Sequence, residues 1–208
     1  MAEERFCIGV DLDGVVGDFY EALHPLAAEW IGVKAEDLPK PTSYNLTEAY
    51  KLEPYGSYDD LHRWAVVERD LFRTMPPIAG APAALRRLSA RKIRIIIVTY
   101  RLFIPHFHRQ AINQTIEFLD HHGVPYWDIC FLRDKNLLDT DVFVDDSRHN
   151  IDSLRASGKD VVCLGNLTNR DVAPPRFETW PEVESYIVAR HDAWLAERGL
   201  DLSSQAGA

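Results

Sequence analysis

The 208-residue sequence has little cysteine and too few basic residues to balance its acidic ones. Its three cysteines, Cys7, Cys130 and Cys163, are far apart, and each lies in or beside an apolar segment, which favours buried reduced thiols over disulfides or metal ligands. Lys and Arg total 23 against 32 Asp and Glu, so the net charge is −9. Such an acidic chain is not expected to bind nucleic-acid polymers or anionic membranes, because both require basic surface.

The sequence also lacks any segment typical of export or membrane insertion. It begins with MAEERF, which is acidic and contains no hydrophobic signal region. No apolar run reaches the ~20 residues that a membrane-spanning helix needs. We therefore expect a cytoplasmic protein. Apolar residues make up 46% of the chain, which is enough to build a full hydrophobic core.

Short β-branched runs alternate with helix-like stretches along the chain. Runs that are apolar on both faces suit parallel strands covered by helices on both sides. The alternation predicts an α/β fold with a three-layer, Rossmann-like core. The expected strands are 6–10, 92–98, 128–132, 141–144 and 160–164, and the expected helices are roughly 18–31, 81–90, 107–122, 148–157 and 181–198.

The connection between the first two strands is too long for one crossover. From Asp11 to Thr99 the numbering advances by 88, whereas a strand–helix–strand unit needs ~30 residues. We interpret the surplus as a small, mostly helical cap inserted after the first strand–helix unit; the alternative is a surface elaboration with its own aromatic cluster. The predicted domains are a core of 1–31 and 79–200, a cap insertion of 32–78 and a flexible tail of 201–208.

Four of the five expected strands end in charged or hydroxyl-bearing residues. In open α/β sheets, ligands bind at the carboxyl ends of the strands. The fifth run ends in Gly165 and Asn166, to which we assign no chemistry. The residues after the other runs are Asp11 and Asp13; Thr99, Tyr100 and Arg101; Arg133, Asp134 and Lys135; and Asp145, Asp146 and Ser147.

These strand ends would bring a cation site and an anion site together. Clustered carboxylates form the hard, oxygen-rich site that Mg²⁺ prefers, and the cation would make their proximity tolerable. Hydroxyl and cationic side chains beside them would bind an anion, and a divalent cation next to an anion pocket suits phosphoryl transfer. The carboxylates are Asp11, Asp13 and Asp145, and the donors are Thr99, Lys135 and Arg101.

Other interpretations of the DLDG segment are disfavoured by spacing. An EF-hand starting at Asp11 would need glycine where Val16 stands and glutamate where Ala22 stands. The sequence contains no GxxxxGK[ST] loop and no HExxH motif. A signalling receiver module uses a similar acidic pocket, but its acidic pair comes first along the chain, whereas here the pair comes last.

Taken in order, these segments resemble the four motifs of the haloacid dehalogenase superfamily of phosphohydrolases. VDLDGV matches the first motif, IIIVT the second, the lysine of LRDKN the third, and VFVDDS the fourth. Within that superfamily the chain is most similar to the 5′(3′)-deoxyribonucleotidases, which share the DxDGVxxDF pattern of residues 11–19, the RDK segment and a stretch like PIAGA at 77–81. It departs from them at Thr99-Tyr100-Arg101, where they typically have Thr-Ser-Pro.

The resemblance implies a Mg²⁺-dependent phosphomonoester hydrolase with an aspartyl-phosphate intermediate. Its expected substrate is a (deoxy)nucleoside monophosphate; the alternative is a phosphatase, phosphotransferase or mutase acting on another small metabolite such as a sugar phosphate. Oligomeric state is open, and a homodimer is compatible with the acidic surface. The implied roles are Asp11 as nucleophile and Asp13 as acid and base; Mg²⁺ on Asp11, Asp13 and Asp145, with Asp146 behind them; phosphate binding by Thr99 and Lys135; and substrate contacts from Gly14, Arg101 and Phe19.

Overall fold

The computed structural model describes residues 5–201, and the expected tail therefore lies outside the described residues except at Asp201. Its centre is one parallel six-stranded sheet with the strand order β3-β2-β1-β4-β5-β6. The five expected strands are confirmed, and a sixth, only two residues long, was missed. The strands are β1 Cys7–Val10, β2 Arg94–Thr99, β3 Asp128–Phe131, β4 Val142–Asp145, β5 Val161–Leu164 and β6 Arg176–Phe177.

The five expected helices are also present, with ends within about two residues of the prediction. Three further helices lie in the stretch that the sequence marked as an insertion. In chain order the helices are α1 Phe19–Ile31, α2 Leu46–Ala49, α3 Tyr58–Arg69, α4 Leu71–Thr74, α5 Ala81–Ala90, α6 His108–His121, α7 Arg148–Ala156 and α8 Trp180–Glu197.

Helices cover both faces of the sheet, as the doubly apolar strands predicted. In β2, Ile95 and Ile97 join a core that includes residues of α5 and α8, whereas Ile96 and Val98 join a core that includes residues of α7. Side chains alternate between the faces of a strand, so both faces of β2 are buried. The α/β fold with a parallel sheet is therefore confirmed.

The inserted stretch packs on helices rather than on the sheet. Residues of α2, α3 and α4 form a separate apolar cluster with Leu23 and Ala27 of α1 and with Ala111 of α6. The insertion therefore sits beside the helix that follows β1 and the helix that follows β2. The division into a core and a cap domain stays a prediction.

The sequence also led to expectations about the cysteines and about membrane-spanning helices. Cys7, Cys130 and Cys163 are all free thiols, but only Cys163 is fully buried as expected; Cys7 and Cys130, in the first and third strands, are half-buried. Among residues 5–201, no helix combines the length and the apolar composition that crossing a membrane would need. The cytoplasmic location stays a prediction.

Candidate active site

The carboxyl end of β1 lies at the centre of the candidate site. β1 pairs with β2 on one side and with β4 on the other, so the chain reverses its direction of winding there. A cavity of about 370 Å³ opens at this edge. Its lining includes Asp11, Asp13, Thr99, Lys135 and Asp146.

The turn after β1 is fixed by backbone amides that donate hydrogen bonds and by a left-handed glycine. The amide of Leu12 donates to Oδ1 of Asp11 over 2.8 Å, and the amide of Asp11 donates to the carbonyl of Val144 in β4. Gly14 then adopts a left-handed conformation with φ +79°, which few residues other than glycine tolerate. The chain thereby bends back so that Asp11 and Asp13 both face the cavity.

Lys135 bridges two carboxylates from neighbouring strands. Its Nζ lies 2.9 Å from Oδ1 of Asp11 and donates to Oδ2 of Asp145 over 2.6 Å. Asp145 also accepts from the amide of Ser147 and, over longer distances, from Nδ2 of Asn150. Burial lowers the pKa of Lys135, but the two carboxylates outweigh it and raise the pKa above its ordinary value. The lysine is therefore a permanent cation in this site.

Negative charge nevertheless exceeds positive charge around Asp11. The pKa of Asp11 is raised to about 7, because burial, together with the negative charges of Asp145 and Asp13, outweighs the opposing effect of Lys135. Burial, followed by Asp11 and Asp145, likewise raises the pKa of Asp146 well above its ordinary value. Three buried or nearly buried carboxylates thus share one lysine, an arrangement that an additional cation would stabilise.

The carboxylate donor set fits a divalent cation. Asp11, Asp145 and Asp146 each offer one oxygen, and these oxygens all lie within 4.8 Å of one another. Carboxylate oxygens are the ligands that Mg²⁺ prefers. Sequence reasoning placed Asp146 behind the ligands, yet its carboxylate lies beside those of Asp11 and Asp145, whereas both oxygens of Asp145 already accept hydrogen bonds from protein groups.

Asp13 is held by Arg101 in a two-point ion pair. Nε of Arg101 donates to Oδ2 of Asp13 over 2.9 Å, and Nη2 donates to Oδ1 over 2.6 Å. The Arg101 side chain is 1% exposed, whereas that of Asp13 is 27% exposed. Sequence reasoning gave Arg101 a substrate contact; in the structure it lines the cavity with its charge directed at Asp13.

Aromatic side chains form a wall of the cavity. Phe19, at the start of α1, lies in ring contact with His62 of α3, and His62 contacts Phe103 and Phe72. Burial lowers the pKa of His62 to about 4, opposed by Asp13 and reinforced by Arg101, so the imidazole is neutral at physiological pH. The aromatic residues and histidine of the lining are Phe19, Tyr20, Tyr44, Tyr58, His62, Phe72, Tyr100 and Phe103.

Three polar residues at the site were missed from the sequence. Nδ2 of Asn166 donates to Oδ2 of Asp146 over 2.8 Å, although the end of β5 was judged to carry no chemistry. The strand-end rule itself would have found this residue. Asn150, in the first turn of α7, contacts Asp145. His62 belongs to the insertion, which was expected to be mostly helical but whose packing no local pattern predicted.

The chain matches one protein family over most of its length. Residues 5–192 match the family described as "5′ nucleotidase, deoxy (Pyrimidine), cytosolic type C protein". A curated relative from Chlorobaculum tepidum, named "Putative 5′(3′)-deoxyribonucleotidase", is 43% identical over 189 residues, covering 91% of this chain and 93% of the relative.

Solved structures that resemble this one share its fold at low sequence identity. A haloacid dehalogenase-like hydrolase from Streptococcus pneumoniae superposes with a TM-score of 0.57 at 15% identity, covering 88% of this chain and 98% of the other. A HAD-superfamily hydrolase from Geobacter sulfurreducens superposes with a TM-score of 0.53 at 16% identity, covering 88% of this chain and 96% of the other. A β-phosphoglucomutase from Clostridium difficile superposes with a TM-score of 0.51 at 17% identity, covering 93% of this chain and 100% of the other. The fold is therefore that of the HAD superfamily.

Proposed function

The chain belongs to the family of cytosolic type C 5′-nucleotidases, and from this premise we propose that it hydrolyses deoxynucleoside 5′-monophosphates in the cytoplasm, using Mg²⁺ and a phosphorylated Asp11. Membership makes the chain a phosphoric monoester hydrolase. The substrate class, the metal and the covalent intermediate are the parts that we propose. One observation carries them: a single cavity joins the carboxylates and Lys135 at the strand ends to an aromatic wall.

The size and lining of the cavity favour a nucleoside as the leaving group. A volume of about 370 Å³ lies within the range of small-ligand pockets. Its two cations, Lys135 and Arg101, are both already paired with aspartates. Among residues 5–201, the cavity lining therefore offers no spare cation for a second anionic group on the substrate, such as a carboxylate or a further phosphate. The remaining lining is mainly aromatic, which suits the flat, largely apolar face of a base.

The aromatic wall suits a base better than it suits the sugar of a sugar phosphate. A sugar leaving group presents several hydroxyls, which a buried site must pair with donors and acceptors. Phe19, Phe72 and Phe103 offer none, so those hydroxyls would depend on the tyrosines of the wall and on Asn45 and Thr47. A mutase on this scaffold would also have to keep water away from the phosphorylated aspartate. We therefore keep the phosphotransferase as the alternative and the nucleotidase as the proposal.

In the first half-reaction, an oxygen of Asp11 attacks phosphorus. The bond from phosphorus to the 5′-oxygen breaks, and Asp13 gives that oxygen its proton. Lys135 offsets the charge of the transferring group and Thr99 contacts it, while Gly14 leaves room for the backbone to approach. The aromatic wall orients the nucleoside.

In the second half-reaction, Asp13 is the base. It takes a proton from a water molecule, the water oxygen bonds to phosphorus, and the bond to Asp11 breaks to release inorganic phosphate. Asp11, Asp145 and Asp146, with the carbonyl of Asp13, would hold Mg²⁺, and Asn166 keeps Asp146 oriented. When bound, the ion neutralises the carboxylates and polarises the phosphoryl oxygens.

The test is phosphate release from a panel of phosphomonoesters, with Mg²⁺ or with EDTA. The panel contains deoxynucleoside and nucleoside 5′-monophosphates, a hexose phosphate and p-nitrophenyl phosphate. We expect Mg²⁺-dependent turnover that favours deoxynucleotides and disappears in Asp11→Asn. Asp152→Asn, which changes an exposed aspartate on α7, serves as the matched control.

Two outcomes would contradict the proposal. Isomerisation of the hexose phosphate faster than release of inorganic phosphate would identify a phosphotransferase. Turnover of p-nitrophenyl phosphate alone would retain the hydrolytic chemistry and reject the nucleotide as substrate.

A further inference from the structure

We propose that Arg101 is a positioning residue that fixes the Asp13 carboxylate and directs the proton it exchanges toward the cavity. This inference rests on the proposed function, in which Asp13 is the acid and base. Arg101 follows Thr99 by two positions and belongs to none of the motifs on which the family resemblance rests, so those motifs give it no role.

The ion pair constrains the orientation of Asp13 as well as its position. Nε and Nη2 of Arg101 each donate to a different carboxylate oxygen, over 2.9 Å and 2.6 Å. Two parallel bonds to a planar guanidinium fix the plane of the carboxylate, which a single-point contact from lysine would leave free to rotate.

Arg101 is itself held from three sides. Its Nη1 donates to Oγ1 of Thr115 over 2.9 Å, its Nη2 lies 3.5 Å from Sδ of Met75, and its guanidinium carbon lies 4.0 Å from the centre of the Phe72 ring. Thr115 in turn donates its hydroxyl hydrogen to the carbonyl of Ala111 over 2.7 Å. The hydroxyl is thereby oriented with a lone pair toward Nη1. The arginine is thus a fixed donor.

These contacts leave Arg101 poorly suited to bind substrate directly. It is 1% exposed, and the N–H groups on its Asp13 side are engaged by the carboxylate. A substrate phosphate would have to displace Asp13 or Thr115 to reach the guanidinium. Arg101 therefore acts on the reaction through Asp13.

The chemistry of the pair determines where the proton can reside. A carboxylate oxygen has two lone-pair sites, and a guanidinium only donates. One site on each Asp13 oxygen is occupied by an N–H of Arg101, so the proton that Asp13 carries must occupy a site facing away from the arginine. The Asp13 side chain is exposed on the cavity side, where the leaving oxygen would lie.

The experiment compares two leaving groups that differ in their need for a proton. A deoxynucleoside 5′-monophosphate releases an alkoxide, which must be protonated as it departs; p-nitrophenyl phosphate releases a stable phenolate, which need not be. We expect Arg101→Met to lower kcat/KM at least tenfold on the nucleotide and less than threefold on the aryl phosphate. Asp13→Asn should show the same split, that is, a larger loss of kcat/KM on the nucleotide than on the aryl phosphate. On the nucleotide, kcat/KM of the double variant should be no lower than that of Asp13→Asn.

Two further variants control for folding and for the loss of an arginine. Thr115→Val removes the anchor but keeps the arginine, and should show a smaller split in the same direction. Away from the cavity, Arg87 makes a similar two-point ion pair with Glu184, in which Nε and Nη2 donate to the two carboxylate oxygens over 2.7 Å and 2.6 Å. Arg87→Met should leave both substrates unaffected.

Three results would overturn the inference. Equal losses on both substrates in Arg101→Met and Thr115→Val would assign Arg101 to phosphate binding or to folding. A split in Asp13→Asn but none in Arg101→Met would reject Arg101 and retain the proposed function. No split in Asp13→Asn would reject both, because Asp13 would then not be the acid.

Discussion

Gly14 and Asp146 approach each other so closely that a side chain on Gly14 would overlap the carboxylate. An ideal Cβ on Gly14 would come within 2.6 Å of Cγ of Asp146, closer than real Cβ atoms approach their neighbours. Gly14 follows β1 and Asp146 follows β4, so this contact lies where two paired strands end. The glycine is therefore required by its neighbour as well as by its left-handed φ.

Gly14→Ala is expected to lower activity far more than a change in φ preference alone would. The matched control is Gly32→Ala at the end of α1, where φ is +83° and nothing lies within 4 Å of the added Cβ. Both variants should lose about 1 kcal/mol of unfolding free energy through the left-handed conformation. Only Gly14→Ala displaces Asp146, so its kcat/KM should fall on the order of 100-fold, as expected for a misplaced site.

Chemical denaturation and steady-state kinetics on the two variants provide the measurement. Equal activity in Gly14→Ala and Gly32→Ala would show that the Asp146 carboxylate does not need its present position.

The carboxylate cluster predicts that removing Mg²⁺ lowers the stability of the wild-type protein, whereas removing one carboxylate charge in the absence of Mg²⁺ raises it. Without Mg²⁺, burial and the neighbouring Asp11 and Asp145 disfavour the charged form of Asp146, so Asp146→Asn, which carries no charge, should raise the melting temperature by a few degrees. Asn166 can still donate to the new amide oxygen. Mg²⁺ should stabilise the wild-type protein and have little effect on Asp146→Asn, because the amide that replaces the Asp146 carboxylate carries no negative charge.

Thermal melting in EDTA and in Mg²⁺ measures both effects, with Asp152→Asn as the exposed control. The predicted donor set would be wrong if Asp146→Asn gained as much from Mg²⁺ as the wild type does.

The aromatic wall predicts a loss of binding without a loss of chemistry. Phe19→Leu keeps the side chain apolar but removes the ring that contacts His62 and lines the cavity. Ring stacking contributes about 1 kcal/mol beyond buried area, so KM for a deoxynucleotide should rise roughly fivefold to tenfold while kcat stays within about twofold. Phe177→Leu, at a half-buried phenylalanine on β6 outside the cavity, is the control.

Steady-state kinetics with a nucleotide and with p-nitrophenyl phosphate would separate the two contributions. If Phe19→Leu lowered kcat equally on both substrates, Phe19 would support the catalytic groups instead of the base.

The features that could be predicted from the sequence are local in the chain. The strands and the main helices could be predicted because apolar runs and helical periodicity are properties of a few consecutive residues. Asp11, Thr99, Lys135 and Asp145 could be predicted because parallel strands bring their carboxyl ends to one edge. These signals depend on the sheet alone.

The partners of the site residues could not be predicted in the same way. Sequence reasoning assigned Arg101 to the substrate, whereas its pairing with Asp13 depends on Thr115 in α6 and Phe72 in the insertion. His62 lies in a helix whose position is set by packing against α1 and α6. Such contacts join residues distant in the chain, and no period in the sequence encodes them.

His62 provides a prediction for stability as a function of pH. Burial lowers its pKa from 6.5 to about 4, so between these values the unfolded chain binds a proton that the folded protein does not. The contribution of His62 to stability is therefore fully present above pH 6.5 and is lost as pH falls toward 4. Between pH 7 and pH 5 the loss should amount to roughly 2 kcal/mol of unfolding free energy.

His62→Phe removes the titrating group while keeping a ring among Phe19, Phe72 and Phe103. Urea unfolding in EDTA at pH 7 and pH 5 should show that this variant loses about 2 kcal/mol less than the wild type on acidification. His149→Gln, at an exposed histidine of α7, should lose as much as the wild type. An equal loss in His62→Phe and in the wild type would mean that His62 is protonated in the folded protein at pH 5, and hence that water or Asp13 reaches its ring.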